Sequence, residues 1–222
     1  MKNLLRKMLT QLVKVSDIEM IRKEIDTYPV ISFDIFDTLL RREVNNPSDI
    51  FTLVEQLYND SSCNSISGFK QMRIIAERKA RKQSLTEETD LFSIYAQIPL
   101  EKGIKDKLMK MELEVERKQL TAKSTIYRLY NYAYSKRKEV LIISDMYLPL
   151  LFIKDSLAQN GYIGYNHLYL SSEVGVRKAT GNMFRYVLNE TGFRPSDILH
   201  IGDSFKSDWL MPRKYGIKSC LI

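Results

Sequence analysis

The C-terminal part of the chain alternates helix and strand signals, and that alternation restricts the fold more than any other feature. A helical stretch, TIYRLYNYAYSK, leads to the apolar run EVLIIS (Glu139 to Ser144). A helix expected from near Pro149 to near Gly161 precedes HLYLSS (His167 to Ser172). TGNMFRYVLNET then leads to DILHIGD (Asp197 to Asp203), and a last short helix gives way to IKSCLI. Short apolar strands separated by helices predict an α/β class with a parallel sheet covered on both faces. A further strand, PVISFD, lies upstream and ends on Asp34. In such sheets, ligands sit beyond the carboxyl ends of the strands.

Between these parts, roughly Glu43 to Lys123, the pattern is helical. NPSDIFTLVEQLYND opens on a helix-start signal, Asn46, Pro47 and Asp49. GFKQMRIIAERKARK, TEETDLFSIYAQI and KDKLMKMELEVERKQL follow, the last with Leu108, Met111, Leu113 and Val115 as expected buried positions. No strand is expected to interrupt these helices. The predicted division is therefore a core made of residues 1–42 and 124–222, interrupted by a helical unit over 43–123. A chain of 222 residues can support one such core with a modest accessory unit.

At the N-terminus, Leu4, Leu5, Met8, Leu9 and Leu12 recur at helical spacing. Arg6, Lys7 and Lys14 break the apolar run and no small-residue cleavage site follows, so it does not read as a secretory signal. The expected helix packs on the core, with contact to a membrane surface as the alternative. No run approaches the length of a membrane span. Cys63 and Cys220 stand far apart with no pairing or zinc pattern, which suits a reduced, cytoplasmic protein. The net charge is +7, but the basic residues are dispersed. Their densest cluster, AERKARK, reads as a solvated helix face. No zinc-finger or RNA-recognition motif accompanies it, so no nucleic-acid partner is expected.

The strand ends carry the chemistry. Asp34 closes the first strand, and Ser144 followed by Asp145 closes the second. IGDSFKSD puts Asp203 at another strand end, with Asp208 five residues on, and GVRKATGNMF brings Lys178 to a helix start. In one parallel sheet these groups converge on one crevice. Clustered carboxylates repel one another, and a hard divalent cation such as Mg2+ offsets that repulsion with oxygen ligands. A lysine and a serine hydroxyl beside it suit phosphate oxygens. The combination points to phosphoryl transfer, in which positioning and charge neutralisation supply most of the rate.

With FDIFDTL, IISD, VRK…F and IGDSFKSD in this order, the sequence resembles the haloacid dehalogenase (HAD) superfamily of hydrolases. It is most similar to a group with FDxFDTL and SDMYLP motifs associated with surface-polysaccharide biosynthesis, such as capsule or lipopolysaccharide. The resemblance implies a Rossmann-like core with a parallel sheet, an inserted helical C1-type cap, and a Mg2+-dependent phosphatase acting on a small phosphorylated substrate, a sugar, polyol or amino-alcohol phosphate. It implies that Asp34 is the nucleophile. Asp34, the backbone carbonyl of Phe36 and Asp203 would hold the metal, with Asp208 supporting the metal shell or Lys178. Ser144 would bind the phosphoryl group. Lys178, rather than its neighbour Arg177, would neutralise charge at Asp34. Thr38 would fix the loop after the nucleophile. Arg41, Arg42 and Tyr147 are candidates for the substrate's border, and His200 reads as a core residue.

One departure from the superfamily pattern matters. Phosphatases of the superfamily carry a general acid/base two residues after the nucleophile, and Phe36 stands there. Asp37 occupies the next position, where a glycine is usual. The acid/base can be Asp37, or it can come from Asp145 or from the helical unit through Glu112 or Glu116. A substrate with a better leaving group would need less help. Asp37 can equally brace its loop by bonding backbone amides. Dehalogenases lack an acid at this position and need no metal. Phosphonate-cleaving relatives use a cap lysine, for which Lys70, Lys79 and Lys82 are the candidates. A non-catalytic scaffold of polysaccharide assembly is the remaining alternative.

Overall fold

The computed structural model describes residues 16–222. The expected helix over Leu4 to Leu12 lies outside the described residues. The first described helix, α1 (Ile18–Thr27), is capped by the Asp17 carboxylate, which accepts from the Glu19 amide. It buries Ile21 and Ile25 and leads into β1 (Val30–Phe33). The order then runs β2 (Leu40–Arg42), α2 (Asp49–Asp60), α3 (Phe69–Gln83), α4 (Leu91–Ala96), α5 (Lys102–Gln119) and β3 (Leu120–Ala122). It continues with α6 (Ser124–Ser135), β4 (Glu139–Ser144), α7 (Leu150–Gln159), β5 (His167–Leu170) and the short α8 (Ser171–Val174). A 3-10 turn, Lys178–Thr180, precedes α9 (Asn182–Thr191), and a second, Pro195–Asp197, leads into β6 (Ile198–Gly202). A π-helical turn (Phe205–Leu210), α10 (Met211–Lys214) and β7 (Lys218–Leu221) complete the chain.

Five strands form one parallel sheet in the order β5-β4-β1-β6-β7. β1 is central, and Val30, Ile31, Ser32 and Phe33 are all buried, as a strand covered on both faces must be. Strand order reverses at β1, with β4 on one side and β6 on the other, so the crevice of such a sheet opens at the end of β1. No described helix is long and apolar enough to cross a membrane.

Several local expectations need correction. TEETDLFSIYAQI is helical only from Leu91, because the Asp90 carboxylate accepts from the Ser93 amide and caps α4 there. HLYLSS ends as a strand at Leu170, and Ser171 opens a helical turn. A short antiparallel ribbon, β2 with β3, brings the two ends of the helical segment together where no strand was expected. On α5, Leu108 and Val115 are buried, but Met111 and Leu113 only partly so. Glu112 and Glu116 share the buried face instead. The reason is a partner in each case. Arg73, fully buried on α3, binds Glu112 through two parallel bonds of 2.8 Å, and Arg42 of β2 binds Glu116 at 2.6 Å. Buried charges of this kind persist only when paired.

Candidate active site

Parallel pairing aligns Ser32 of β1 with His200 of β6, and side-chain alternation then places Asp34 on the same face. The Asp34 amide donates to the Ile201 carbonyl (2.9 Å), so the pairing carries the chain up to the carboxylate itself. Asp34 is buried. Its Oδ1 accepts from Ser144 Oγ at 3.1 Å and from Lys178 Nζ at 2.6 Å. Lys178 Nζ also donates to Asp208 Oδ1 at 2.5 Å. Three of the motifs thus meet on one ammonium.

Asp208 is anchored on every side. Oδ1 also meets His200 Nε2 at 3.1 Å, and Oδ2 accepts from the Ser204 amide at 2.9 Å. An ionised carboxylate only accepts, so Nε2 carries the hydrogen and Nδ1 accepts from Ser32 Oγ, 2.9 Å away. His200, read from the sequence as a core residue, is both fully buried and the outer support of Asp208. Gly202 makes room for this packing. A Cβ there would meet the Asp208 Cβ and Cγ at 2.5 Å, inside any real contact distance. Gly202→Ala is therefore expected to push Asp208 off Lys178 and His200. Denaturant melts should show a loss of about 1–3 kcal/mol, the usual cost of overpacking.

Electrostatics follow the crowding. Burial raises the Asp34 carboxyl to about 7, with Lys178 opposing and Asp208 and Asp203 adding to the rise. Asp203, more open to solvent, is raised to about 6 by partial desolvation and then by the carboxylates of Asp208 and Asp37. Asp208 resists its own burial and is held below the usual carboxylate range by Lys178 and His200. Lys178 likewise stays protonated against burial, held above lysine's ordinary value by Asp208 and Asp34. Burial keeps His200 neutral. Asp34, Asp203 and Asp208 each present an oxygen within 4.8 Å of the others, against one ammonium. The Phe36 carbonyl accepts no hydrogen bond among the described residues. A set of oxygen donors carrying excess negative charge fits a hard divalent cation. Within it, Asp34 and Asp203 have free oxygen capacity, whereas Asp208 is occupied by Lys178, His200 and Ser204.

The loop after Asp34 is pinned by its backbone. The Leu40 amide donates to the Ile35 carbonyl (2.8 Å), the Asp37 amide to the Leu40 carbonyl (2.7 Å), and Lys123 Nζ to the Asp37 carbonyl (2.8 Å). Asp37 adopts φ 58°, the left-handed region that glycine takes without cost and Asp tolerates. Its side chain is exposed and makes no hydrogen bond among the described residues, so it does not brace the loop through amides. Thr38 is buried, and its Oγ1 lacks a partner among the described residues. The Phe36 ring lies 4.3 Å beneath the Arg42 guanidinium.

Three candidates fall away from the cleft's chemistry. Asp145 does not offer a free carboxylate. Oδ1 accepts from the Lys178 amide at 2.6 Å and Oδ2 from the Ala179 amide at 3.1 Å, which aims the lysine. Arg41 sits on the opposite side of β2 from Arg42 and pairs with Glu43 at 3.1 Å, exposed. Arg177 faces Glu88 and Asp145, not Asp34.

Sequence reasoning also missed Glu87 and Glu88, within the stretch expected to be helical. Glu87 accepts from the Arg177 amide and the Thr180 hydroxyl (2.8 and 2.6 Å). Glu88 accepts from Ser171 Oγ at 2.9 Å and pairs with Arg81. Both tie the loop before α4 to the segment bearing Lys178.

A family profile described as HAD-hydrolase-like matches residues 175–222, the part that carries Lys178, Asp203 and Asp208. No match is found among curated proteins. Solved structures share the fold over most of the chain. The HAD phosphatase from Thermococcus onnurineus is 16% identical with a TM-score of 0.60, over 87% of this chain and 85% of its own. The 2-haloacid dehalogenase from Pseudomonas syringae is 11% identical with a TM-score of 0.61, over 86% and 85%. A HAD-family enzyme from Bacteroides thetaiotaomicron, in complex with magnesium and inorganic phosphate, is 14% identical with a TM-score of 0.55, over 87% and 93%. The chain has the fold of the HAD-like hydrolases, and that fold hosts both reactions.

Proposed function

We propose that this chain, built on the HAD-like hydrolase fold, is a cytoplasmic Mg2+-dependent phosphatase that cleaves a small phosphorylated metabolite through an aspartyl-phosphate at Asp34. The observation that carries the reading is the buried Asp34 carboxylate, gripped by Ser144 and Lys178 and set beside the more open carboxylate of Asp203. A bound Mg2+ would supply charge neutralisation and orientation to the phosphoryl oxygens, held by Asp34, Asp203 and the Phe36 carbonyl.

The chain's own residues account for the rest. An Asp34 carboxylate oxygen attacks phosphorus, and the ester oxygen departs with its electron pair and takes a proton from Asp37. Ser144 Oγ and Lys178 Nζ, already on Asp34 Oδ1, hold the transferring group and balance its charge. Asp37, now a carboxylate, removes a proton from water, which attacks phosphorus and frees Asp34. Asp208, Asp145 and His200 keep Lys178 charged and aimed. The helices of residues 49–119 act as the cap, closing over the site to exclude water. The substrate class proposed from the motif resemblance is a sugar, polyol or amino-alcohol phosphate, with surface-polysaccharide biosynthesis as the setting.

A screen of phosphate esters should show phosphate release that requires Mg2+ and stops on chelation. Halide release from haloacids without metal would replace this reading with a dehalogenase. Neither activity, together with no Mg2+ binding, would leave a scaffold. A lysine-dependent phosphonatase draws no support from Lys70, which is ion-paired with Asp49 at 2.7 Å.

A further inference from the structure

A cavity of about 440 Å³ lies between the helical segment, the end of β2 and the loop that follows β4. Its core-side wall includes Met146 and Tyr147, just past Ser144, and Arg42, whose guanidinium covers Phe36. Phe51 of α2 and Ile74 of α3 supply an apolar wall opposite. Asp34, Ser144, Lys178 and Asp203 do not themselves line this space; Met146 and Tyr147 tie it to Ser144 along the chain, and its volume suits the carbon skeleton of a small ester.

The polar lining is unbalanced. Arg42, Arg78 and Arg81 face Glu77 and Glu116. Both Glu77 oxygens are engaged, one by Arg81 and one by Arg73. Glu116 Oε1 takes both Nε and Nη2 of Arg42, so Oε2 is the single carboxylate oxygen left over. Donors are plentiful by comparison. Arg42 Nη1 and Arg81 Nη2 make no hydrogen bond among the described residues, and exposed Arg78 has no carboxylate partner among them. Arg42 is thus compensated by Glu116 and Arg81 by Glu77 and Glu88, which leaves Arg78 as the lining's unpaired charge among the described residues, with several guanidinium N–H groups unengaged beside it. Guanidinium forks match carboxylates and phosphates.

We propose that this cavity holds the leaving group, and that the substrate's alcohol carries a second anionic group, a carboxylate or phosphate, bound by Arg78 with the free edges of Arg42 and Arg81. This rests on the phosphatase reading and narrows it. Among sugar, polyol and amino-alcohol phosphates, it selects the acidic ones and disfavours the cationic amino alcohols, which would meet three guanidinium groups.

The test is binding without turnover, by calorimetry on the full chain carrying Asp34→Asn, with Mg2+ present. Phosphogluconate against sorbitol phosphate changes one terminal group from carboxylate to alcohol. A hexose bisphosphate against the monophosphate tests phosphate as the second anion. Charged hydrogen bonds of this kind predict roughly tenfold or greater preference for the more anionic member of at least one pair. Arg78→Gln on the same background should bring that ratio close to one, and Arg78→Lys should keep part of it. Equal affinities within both pairs, a preference that survives Arg78→Gln, or no binding of any of the four overturns the proposal. Failure of the phosphatase reading looks different, because it removes turnover in the otherwise unmodified enzyme while a calorimetric preference persists. A phosphatase that hydrolyses and binds both members of each pair equally loses only the second-anion site.

Discussion

Asp34→Asn is expected to abolish phosphate release while leaving the fold intact. An amide is nearly isosteric with the carboxylate but cannot form the acyl-phosphate, so turnover should fall on the order of 10⁴-fold or more, as when a nucleophile is removed from a covalent mechanism. Lys178 is not orphaned by the change, because Asp208 Oδ1 still lies 2.5 Å from its Nζ. Stability supplies an independent check. The Asp34 carboxyl is raised from 3.8 to about 7 in the folded, metal-free protein. The stability linked to this group is therefore fully present below its unfolded value, and is lost as pH rises from about 4 through 7. Metal-free protein with Asp34 intact should lose up to a few kcal/mol across that window. Asp34→Asn should show a shallower slope, with the remainder owed in part to Asp203, raised to about 6. Added Mg2+ should restore the stability of the unmodified protein at the upper end, where both carboxylates are ionised. Phosphate release that persists in Asp34→Asn would remove the covalent mechanism, and an unchanged slope would show that Asp34 is not the titrating group.

The parts of this site that were legible in the sequence are those that backbone topology dictates. A parallel sheet brings strand ends together, so Asp34, Ser144 and Asp203 could be placed from hydrophobic runs and the residues that end them. Lys178 followed because its helix start lies on the same edge. What escaped depends on pairings between distant residues. Glu112 and Glu116 occupy positions that periodicity marks as apolar, and only the arrival of Arg73 and Arg42 from other elements makes them tolerable there. His200 looked like core because it is core. Its second role arises from the π-helical turn that folds Asp208 back against β6, which no local pattern signals. Asp145 illustrates the converse. An acid next to Ser144 suggests a cleft carboxylate, yet the two backbone amides at Lys178 and Ala179 claim both its oxygens.

Asp37→Asn should separate the two chemical steps and identify the proton carrier. On alkyl phosphates, whose alkoxide leaves poorly without a proton, kcat/KM is expected to fall about 10²- to 10⁴-fold, the usual contribution of a positioned acid or base. On an aryl phosphate with a good leaving group, the first step needs little acid, so aspartyl-phosphate should accumulate and a burst of phenol, near one per active site, should precede slow turnover. The geometry favours Asp37 over its rivals. Its carboxylate is free and close enough to Asp203 to raise that group, whereas the Phe36 ring beside it is committed to stacking beneath Arg42. Asp145 is bound to amides, and Glu112 is held by both Arg73 bonds and by the Tyr95 hydroxyl at 2.7 Å. Glu116 is the one alternative with an unengaged oxygen on the cavity wall, and burial raises its carboxyl despite Arg42. If Asp37→Asn keeps full activity on alkyl esters and Glu116→Gln loses it, the proton comes from the helical segment. The Phe36–Arg42 stack would then be the device that brings Glu116 to the position a second aspartate fills in phosphatases of the HAD superfamily.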